Sequence, residues 1–274
     1  MTVAKIGKTA VALLLVAASS GNAQAAHSAK LASNSSAAKP TIVLVHGAFA
    51  DASSFDQLIP LLFDAGYNVV AVQNPLTSLQ DDIATTKRLI EAQKGPLVVV
   101  GHSYGGLVIS GAAAGEPNVK ALVYLAAFAP EANEPVGPLT DKYPSHLGPA
   151  LRPDAAGFLY IACDKVHDVF AADLPESAAR VVCATQKPVH NSVFAATIDT
   201  PAWKTIPSWY LVSKEDHALN PGLERFYAKR MGAKTSEIDA SHVAGTFTFT
   251  AAASPGSGAT GSKHVTNGHF DIAF

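Results

Sequence analysis

From residue 41 onward, short apolar runs alternate with longer runs of helical spacing. Thr41–Val45 is apolar and β-branched, which predicts a strand ending at His46-Gly47. Ser53–Ala65 places Phe55, Leu58, Leu61 and Leu62 on one side and stops at Gly66, the pattern of a helix. Asn68–Val72 reads as a second strand, and Leu79–Gln93 as a helix with Ile83, Thr86 and Ile90 among charges. Pro96–Val100 is continuously apolar, as in a strand covered on both faces. A small-residue helix is predicted over Ser103–Ala114 and another buried strand over Ala121–Ala127. Strands alternating with helices predict the α/β class, with a mostly parallel sheet and right-handed crossovers.

The rhythm breaks over 131–203, where Pro135, Pro138, Pro144, Pro149 and Pro153 interrupt the chain and Phe158 to Phe194 reads as helical. It resumes with a strand at Ser208–Val212, a helix at Gly222–Met231 and a strand near Thr235–Ile238. The middle segment is therefore expected to be a cap inserted into one domain spanning 40–274. Beyond it, Thr246–Thr250 alternates like a strand, and Ala251–Lys263 is a Gly/Ser/Ala/Thr stretch unsuited to an amphipathic helix, so 246–274 forms an atypical tail.

At the other end, Lys5 and Lys8 precede an apolar run, Ala10–Ala18, and then Ala23-Gln24-Ala25. That order predicts a signal peptide over 1–25 and a periplasmic or secreted protein. The run is too short to span a bilayer, which takes about 20 residues, so no stable membrane insertion is expected once the signal is removed. The segment 26–39 reads as a flexible leader. Composition narrows the partners. The 274 residues carry 20 Lys+Arg against 22 Asp+Glu, and this balance excludes the basic excess that nucleic acid or an anionic membrane would attract. With 48% hydrophobic residues the chain can bury a large core, which excludes wholesale disorder. Export gives its two cysteines, Cys163 and Cys183, an oxidising compartment that permits a disulfide; the alternative is two small buried hydrophobes.

Chemistry concentrates at Gly101-His102-Ser103-Tyr104-Gly105-Gly106, a G-x-S-x-G pattern directly after a buried strand and directly before a helix. The small neighbours let the chain turn sharply and leave Ser103 Oγ projecting above the sheet as a nucleophile. A serine hydroxyl needs a base, and His242, just past the last predicted strand, opens on the same sheet edge. His46 is expected to order its loop and His102 to pack, while His217, His264 and His269 are rival bases. Asp216 follows the Ser208–Val212 strand and gives the chain order Ser103, Asp216, His242; Glu215 and Asp239 are rival acids. Donors for an oxyanion are expected from the N–H groups of Ala48 and Tyr104, with Phe49 as the alternative to Ala48.

HGAFADASSF (46–55), GHSYGG (101–106), LVYLAAFAP (122–130), PSWYLVSKEDHALNP (207–221) and DASH (239–242) together resemble the α/β-hydrolase superfamily. Within it the chain resembles the small serine esterase branch that includes methylesterases, hydroxynitrile lyases and their bacterial relatives. The resemblance implies an eight-stranded type of sheet lacking its first strands, a helical cap over the serine, no metal and no organic cofactor. It also implies hydrolysis, because the lyases carry a lysine after the catalytic histidine, where this chain has Val243, and differ at Gly47. The expected activity is that of a serine esterase forming an acyl-enzyme on a small-molecule ester, with Phe49, Phe128, Phe158, Phe170 and Trp203 as pocket residues. The same triad also permits lactonase, perhydrolase or acyltransferase chemistry, and a non-catalytic binding relative is a further alternative. Nothing in the sequence sets the oligomeric state.

Overall fold

β1 (Thr41–Val45) is buried along its whole length. It leads through a 3-10 turn, Ala52–Phe55, to α1 (Leu58–Asp64), β2 (Asn68–Val72), α2 (Leu79–Ala92), β3 (Leu97–His102), α3 (Tyr104–Ala112) and β4 (Val119–Leu125). These elements come from a computed structural model that describes residues 39–243, with the backbone of 249–251 and 270–272. The segments expected to be a signal peptide (1–25) and a leader (26–39, apart from Lys39), together with His264, His269 and most of the 246–274 tail, lie outside the described residues.

The helix expected over Ser53–Ala65 is divided in two. Pro60 explains the break: it lacks an N–H and is tolerated in the first turn of a helix but not in its interior, so a helix begun at Ser53 could not run past it. The preceding turn is closed by Asp51, whose Oδ1 accepts from the Ser53 N–H at 2.7 Å. Leu58 and Leu62 face inward, whereas Leu61 is exposed.

The cap departs further from expectation. It contains α4 (Gly137–Lys142), α5 (Leu147–Ala150), β5 (Leu151–Pro153), β6 (Phe158–Ile161), α6 (Val166–Phe170), α7 (Glu176–Thr185) and β7 (Val189–His190). The run from Phe158 to Phe194 is thus not helical throughout, and the cap is mixed: β5, β6 and β7 form a three-stranded antiparallel sheet. The reason is local turn chemistry. Asp154 Oδ1 accepts from the N–H groups of Ala156 and Phe158, both at 2.9 Å, and Gly157 takes a left-handed φ of 86°, so the chain reverses and pairs with itself. Cys163 and Cys183 are joined in a disulfide that ties the start of the α6 segment to α7.

After the cap, β8 (Ser208–Ser213), α8 (Pro221–Met231) and β9 (Lys234–Ile238) complete the main layer. The sheet has six strands in the order β2-β1-β3-β4-β8-β9, all parallel. Alternate residues feed its two faces, as a period of two requires. Val43, Val45 and Val99 join one apolar cluster, and Ile42, Leu44, Val98 and Val100 the other. Because β1 lies between β2 and β3, the strand order reverses there, and the crevice at the carboxyl ends of β1 and β3 is where α/β sheets of this kind hold ligands. His46-Gly47 and Ser103 both emerge at that crevice. Two further strands, Phe249–Ala251 and Phe270–Ile272, pair in parallel with each other.

Candidate active site

Ser103 sits between β3 and α3 with φ 54° and ψ −124°. Such a backbone is costly for a residue with a side chain, and three hydrogen bonds hold it. The Ser103 N–H donates to the Leu125 carbonyl at 3.1 Å, while the Ser103 carbonyl accepts from Gly106 and Phe128 at 3.0 and 3.1 Å. The turn also needs bare backbone around it. A Cβ at Gly101 would lie 2.6 Å from the Gly105 carbonyl oxygen, and one at Gly47 would lie 2.7 Å from Ser103 Cβ. The glycines flanking the serine are therefore packing requirements.

Three side chains distant in sequence meet at this turn. His242 Nε2 is 2.8 Å from Ser103 Oγ, and His242 Nδ1 is 2.5 Å from Asp216 Oδ2. The ionised carboxylate can only accept, so Nδ1–H donates to it and Nε2 is left to receive the serine proton. Asp216 is itself fixed, since its Oδ1 accepts from the N–H groups of Ala218 and Leu219, both at 2.7 Å. All three residues are buried, Ser103 at 7% exposure, Asp216 at 3% and His242 at 2%. Low exposure strengthens these charge-assisted contacts and keeps bulk water from competing for them.

The rival residues are engaged elsewhere. His46 is buried; its Nδ1–H donates to the Gly47 carbonyl at 2.8 Å and its Nε2 accepts from the Asn74 N–H at 3.0 Å. Burial lowers its pKa to about 4, so it stays neutral and orders the loop after β1. His102 Nε2–H donates to the carbonyl of His242 at 2.8 Å, and burial, with the neighbouring His242 second, lowers its pKa to about 3. The Nδ1–H of His217 donates to the Asp168 carbonyl at 2.9 Å. Glu215 is exposed, and Asp239 is paired with Lys214.

Two groups that the sequence left unremarked support the triad. Asp173, in the cap, accepts from both the N–H and the hydroxyl of Ser241, directly before His242. Together with the Val243 N–H, which donates to the Phe170 carbonyl at 3.1 Å, this bond ties the histidine loop to the cap. The ring centroid of Phe170 lies 5.0 Å from that of His242, and the ring of His102 flanks it at 4.8 Å. Glu224 on α8 lies beside Asp216, and its Oε2 accepts from the Ser213 N–H at 3.1 Å. Burial, and then the Asp216 charge, push its carboxyl well above the usual carboxylate range. Nothing in the spacing of Asp173 or Glu224 distinguishes them from ordinary solvated acids.

Above Ser103 is a tight cavity of about 10 Å³, room for little more than one water centre. Ala48, Phe49, Tyr104, Phe128 and Phe170 line it, joined by Leu147, Phe194 and Leu219, which the sequence reading did not include. Phe158 and Trp203 are not among its lining residues. Phe158 packs edge-on against His190 within the cap, with centroids 5.2 Å apart. Trp203 is buried with its Nε1–H donating to the Pro130 carbonyl at 3.1 Å. Tyr104 is the first residue of α3, so its N–H has no partner within the helix and is free to act as a donor. A larger groove of about 420 Å³ adjoins the cavity across Phe49 and Phe170, with Phe55, Leu58, Leu174 and Val182 among its walls. Phe49 and Phe170 meet edge to face, with ring centroids 6.2 Å apart.

The comparisons with known proteins agree with this architecture. The chain is 29% identical over 218 residues to the alpha/beta hydrolase nvfD of Aspergillus novofumigatus, covering 70% of this chain and 84% of that one. It is 27% identical over 174 residues to a carbendazim hydrolyzing esterase of a Nocardioides species, covering 59% of this chain and 64% of that one. The fold is similar to an extracellular alpha/beta-hydrolase from a Paenibacillus species, with a TM-score of 0.65 at 21% identity, covering 75% of this chain and 92% of that one. A sequence model of the alpha/beta hydrolase family matches residues 42–251, most of the chain, and this protein belongs to that family.

Proposed function

We propose that the protein is an exported serine esterase that cleaves small carboxylic esters through an acyl-enzyme. The observation carrying this reading is the continuous hydrogen-bonded path from Ser103 Oγ through His242 to Asp216. Ser103 Oγ attacks the ester carbonyl carbon while His242 Nε2 takes its proton, and Asp216 stabilises the imidazolium that results. The N–H groups of Tyr104 and Ala48 receive the developing oxyanion. The proton then passes from Nε2 to the departing alcohol oxygen. Water, deprotonated by the same nitrogen, hydrolyses the acyl-serine and restores the hydroxyl. None of these steps calls for a metal or an organic cofactor.

The apolar cavity favours a small acyl group at the serine, and the groove beyond Phe49 and Phe170 favours an apolar or aryl alcohol. Because the cavity is so tight, an ester has to displace one or both rings to reach Ser103. The uncharged Val243 beside His242, and the close packing of Gly47 on Ser103, support hydrolysis over cleavage of a hydroxynitrile. The Lys5, Lys8 and Ala10–Ala18 pattern at the start of the chain supports export.

The test is a panel of p-nitrophenyl esters of increasing acyl length, assayed with the wild-type enzyme and with Ser103→Ala. We expect turnover that is highest for short acyl chains and is lost in the variant while its circular dichroism is retained. Undiminished turnover in Ser103→Ala would remove the serine from the chemistry. A wild-type protein active on lactones but inactive on linear esters would move the reaction class.

A further inference from the structure

We propose that His146, Asp168 and His217 form a binding site for one divalent transition-metal ion of the zinc type, which pins the cap to the loop carrying Asp216. The three residues come from three separate elements. His146 immediately precedes α5, Asp168 lies on α6, and His217 follows Asp216. Their potential ligand atoms all lie within 4.8 Å of one another. His146 Nδ1 is 3.4 Å from Asp168 Oδ2, and His217 Nδ1 is 3.4 Å from Asp168 Oδ1. The two 3.4 Å imidazole–carboxylate separations, one to each oxygen of Asp168, are those of neighbouring ligands on such a metal. Bonds of about 2.0–2.1 Å in a tetrahedral shell place neighbouring ligand atoms roughly 3.3–3.4 Å apart.

Hydrogen bonds join the segments that carry His146 and His217 without an ion. The His146 N–H donates to the His217 carbonyl at 2.9 Å, and Asn220 Nδ2 donates to the Pro144 carbonyl at 2.8 Å. The two imidazole rings lie with centroids 4.5 Å apart. In the absence of metal, His217 Nδ1–H donates to the Asp168 carbonyl; the ion would take the place of that proton, which moves to Nε2. Two neutral imidazoles and one carboxylate favour zinc over magnesium or calcium, which prefer all-oxygen shells. The side chains are about half exposed, so water completes the coordination.

Each ligand neighbours a residue of the serine site. Leu147 follows His146 and lines the cavity. Phe170, two residues beyond Asp168, faces the His242 ring, and Asp216 precedes His217. The ion would thus restrain the cap, and no step of the ester chemistry passes through it.

Binding of ZnCl2 to the full chain, purified without a polyhistidine tag, tests the site by isothermal titration calorimetry and thermal melting. We expect one saturable equivalent, and at a hundredfold excess over Kd a rise in Tm of about 5 °C; MgCl2 in place of zinc should give neither. The paired substitution His146→Gln and His217→Gln, which keeps polar side chains of similar reach, should weaken zinc binding at least about tenfold while the melt in EDTA remains cooperative. Ser103→Ala should bind zinc as the wild type does. Absence of saturable binding, or equal affinity in the paired glutamine variant, would overturn the proposal.

Discussion

Glu224 shows how one buried group shapes both stability and the active site. Burial and then the Asp216 charge both oppose its ionisation and raise its pKa. A carboxyl whose folded pKa is raised costs stability as pH climbs above the unfolded value near 4.3, since only the unfolded chain then gains by ionising. Glu224→Gln keeps the size and the hydrogen-bonding capacity and removes that cost. Its Tm should therefore match the wild type near pH 4 and exceed it at pH 8, as differential scanning calorimetry at the two pH values would show. A lower Tm for the variant at pH 8 would mean that Glu224 is ionised in the folded protein. Gly47 makes the opposite case, a residue that matters for what it lacks. A Cβ there would lie 2.7 Å from Ser103 Cβ, so Gly47→Ala must shift the loop or the serine. Misplacement of about 1 Å is worth about a hundredfold in rate, and we expect kcat/KM for a short ester to fall by at least that factor with Tm changed by only a few degrees.

At the scale of elements, the cap and the histidine loop act as one unit. Asp173 receives both donors of Ser241, and the Phe170 carbonyl receives the Val243 N–H. Asp173→Ala should therefore lower kcat more than it raises KM, because it frees the base and leaves the substrate walls in place. The Cys163–Cys183 bond closes a segment with a sequence separation of 20 residues, for which loop entropy gives about 3 kcal/mol. Cys163→Ser with Cys183→Ser should destabilise the protein by roughly 2–3 kcal/mol in a urea titration and speed proteolysis within α6 and α7. These elements also mark where the sequence was easy and hard to read. The sheet strands were legible because β1, β3, β4 and β8 are long apolar runs buried on both faces. Ser103 and Asp216 were legible because each follows such a strand, β3 and β8; His242 follows β9, which is mostly exposed, and was read from its place just past the last predicted strand. The cap was not: β5, β6 and β7 have three, four and two residues, too few to establish a period, and the Asp154–Gly157 turn that creates them resembles any loop. Phe158 and Trp203 carry the composition of pocket residues, yet tertiary packing turned both away from Ser103. Asp173 became functional only through a contact 68 residues along the chain, which no local pattern records.

Across the whole molecule, buried neutral histidines set the response to acid. The pKa of His46 is lowered to about 4 and that of His102 to about 3, against an unfolded value of about 6.5. Below that value the unfolded chain takes up protons that the folded chain refuses, so stability is lost as pH falls from about 6.5 toward 4 and 3. Each histidine contributes a slope of about 1.4 kcal/mol per pH unit in that window. Urea midpoints measured from pH 7 to pH 4 should therefore fall steeply, and less steeply in His102→Gln, whose amide can still donate to the His242 carbonyl. A slope unchanged in that variant would assign the acid sensitivity to other groups. The six-stranded sheet brings Ser103, Asp216 and His242 to one rim, and the account depends on that convergence activating the serine hydroxyl. Its most direct test is covalent labelling by a fluorophosphonate, followed by mass spectrometry. One adduct per chain is expected on Ser103, forming at least about a thousandfold more slowly in His242→Ala. A wild-type protein left unlabelled at Ser103, or equal labelling rates in the two proteins, would contradict it.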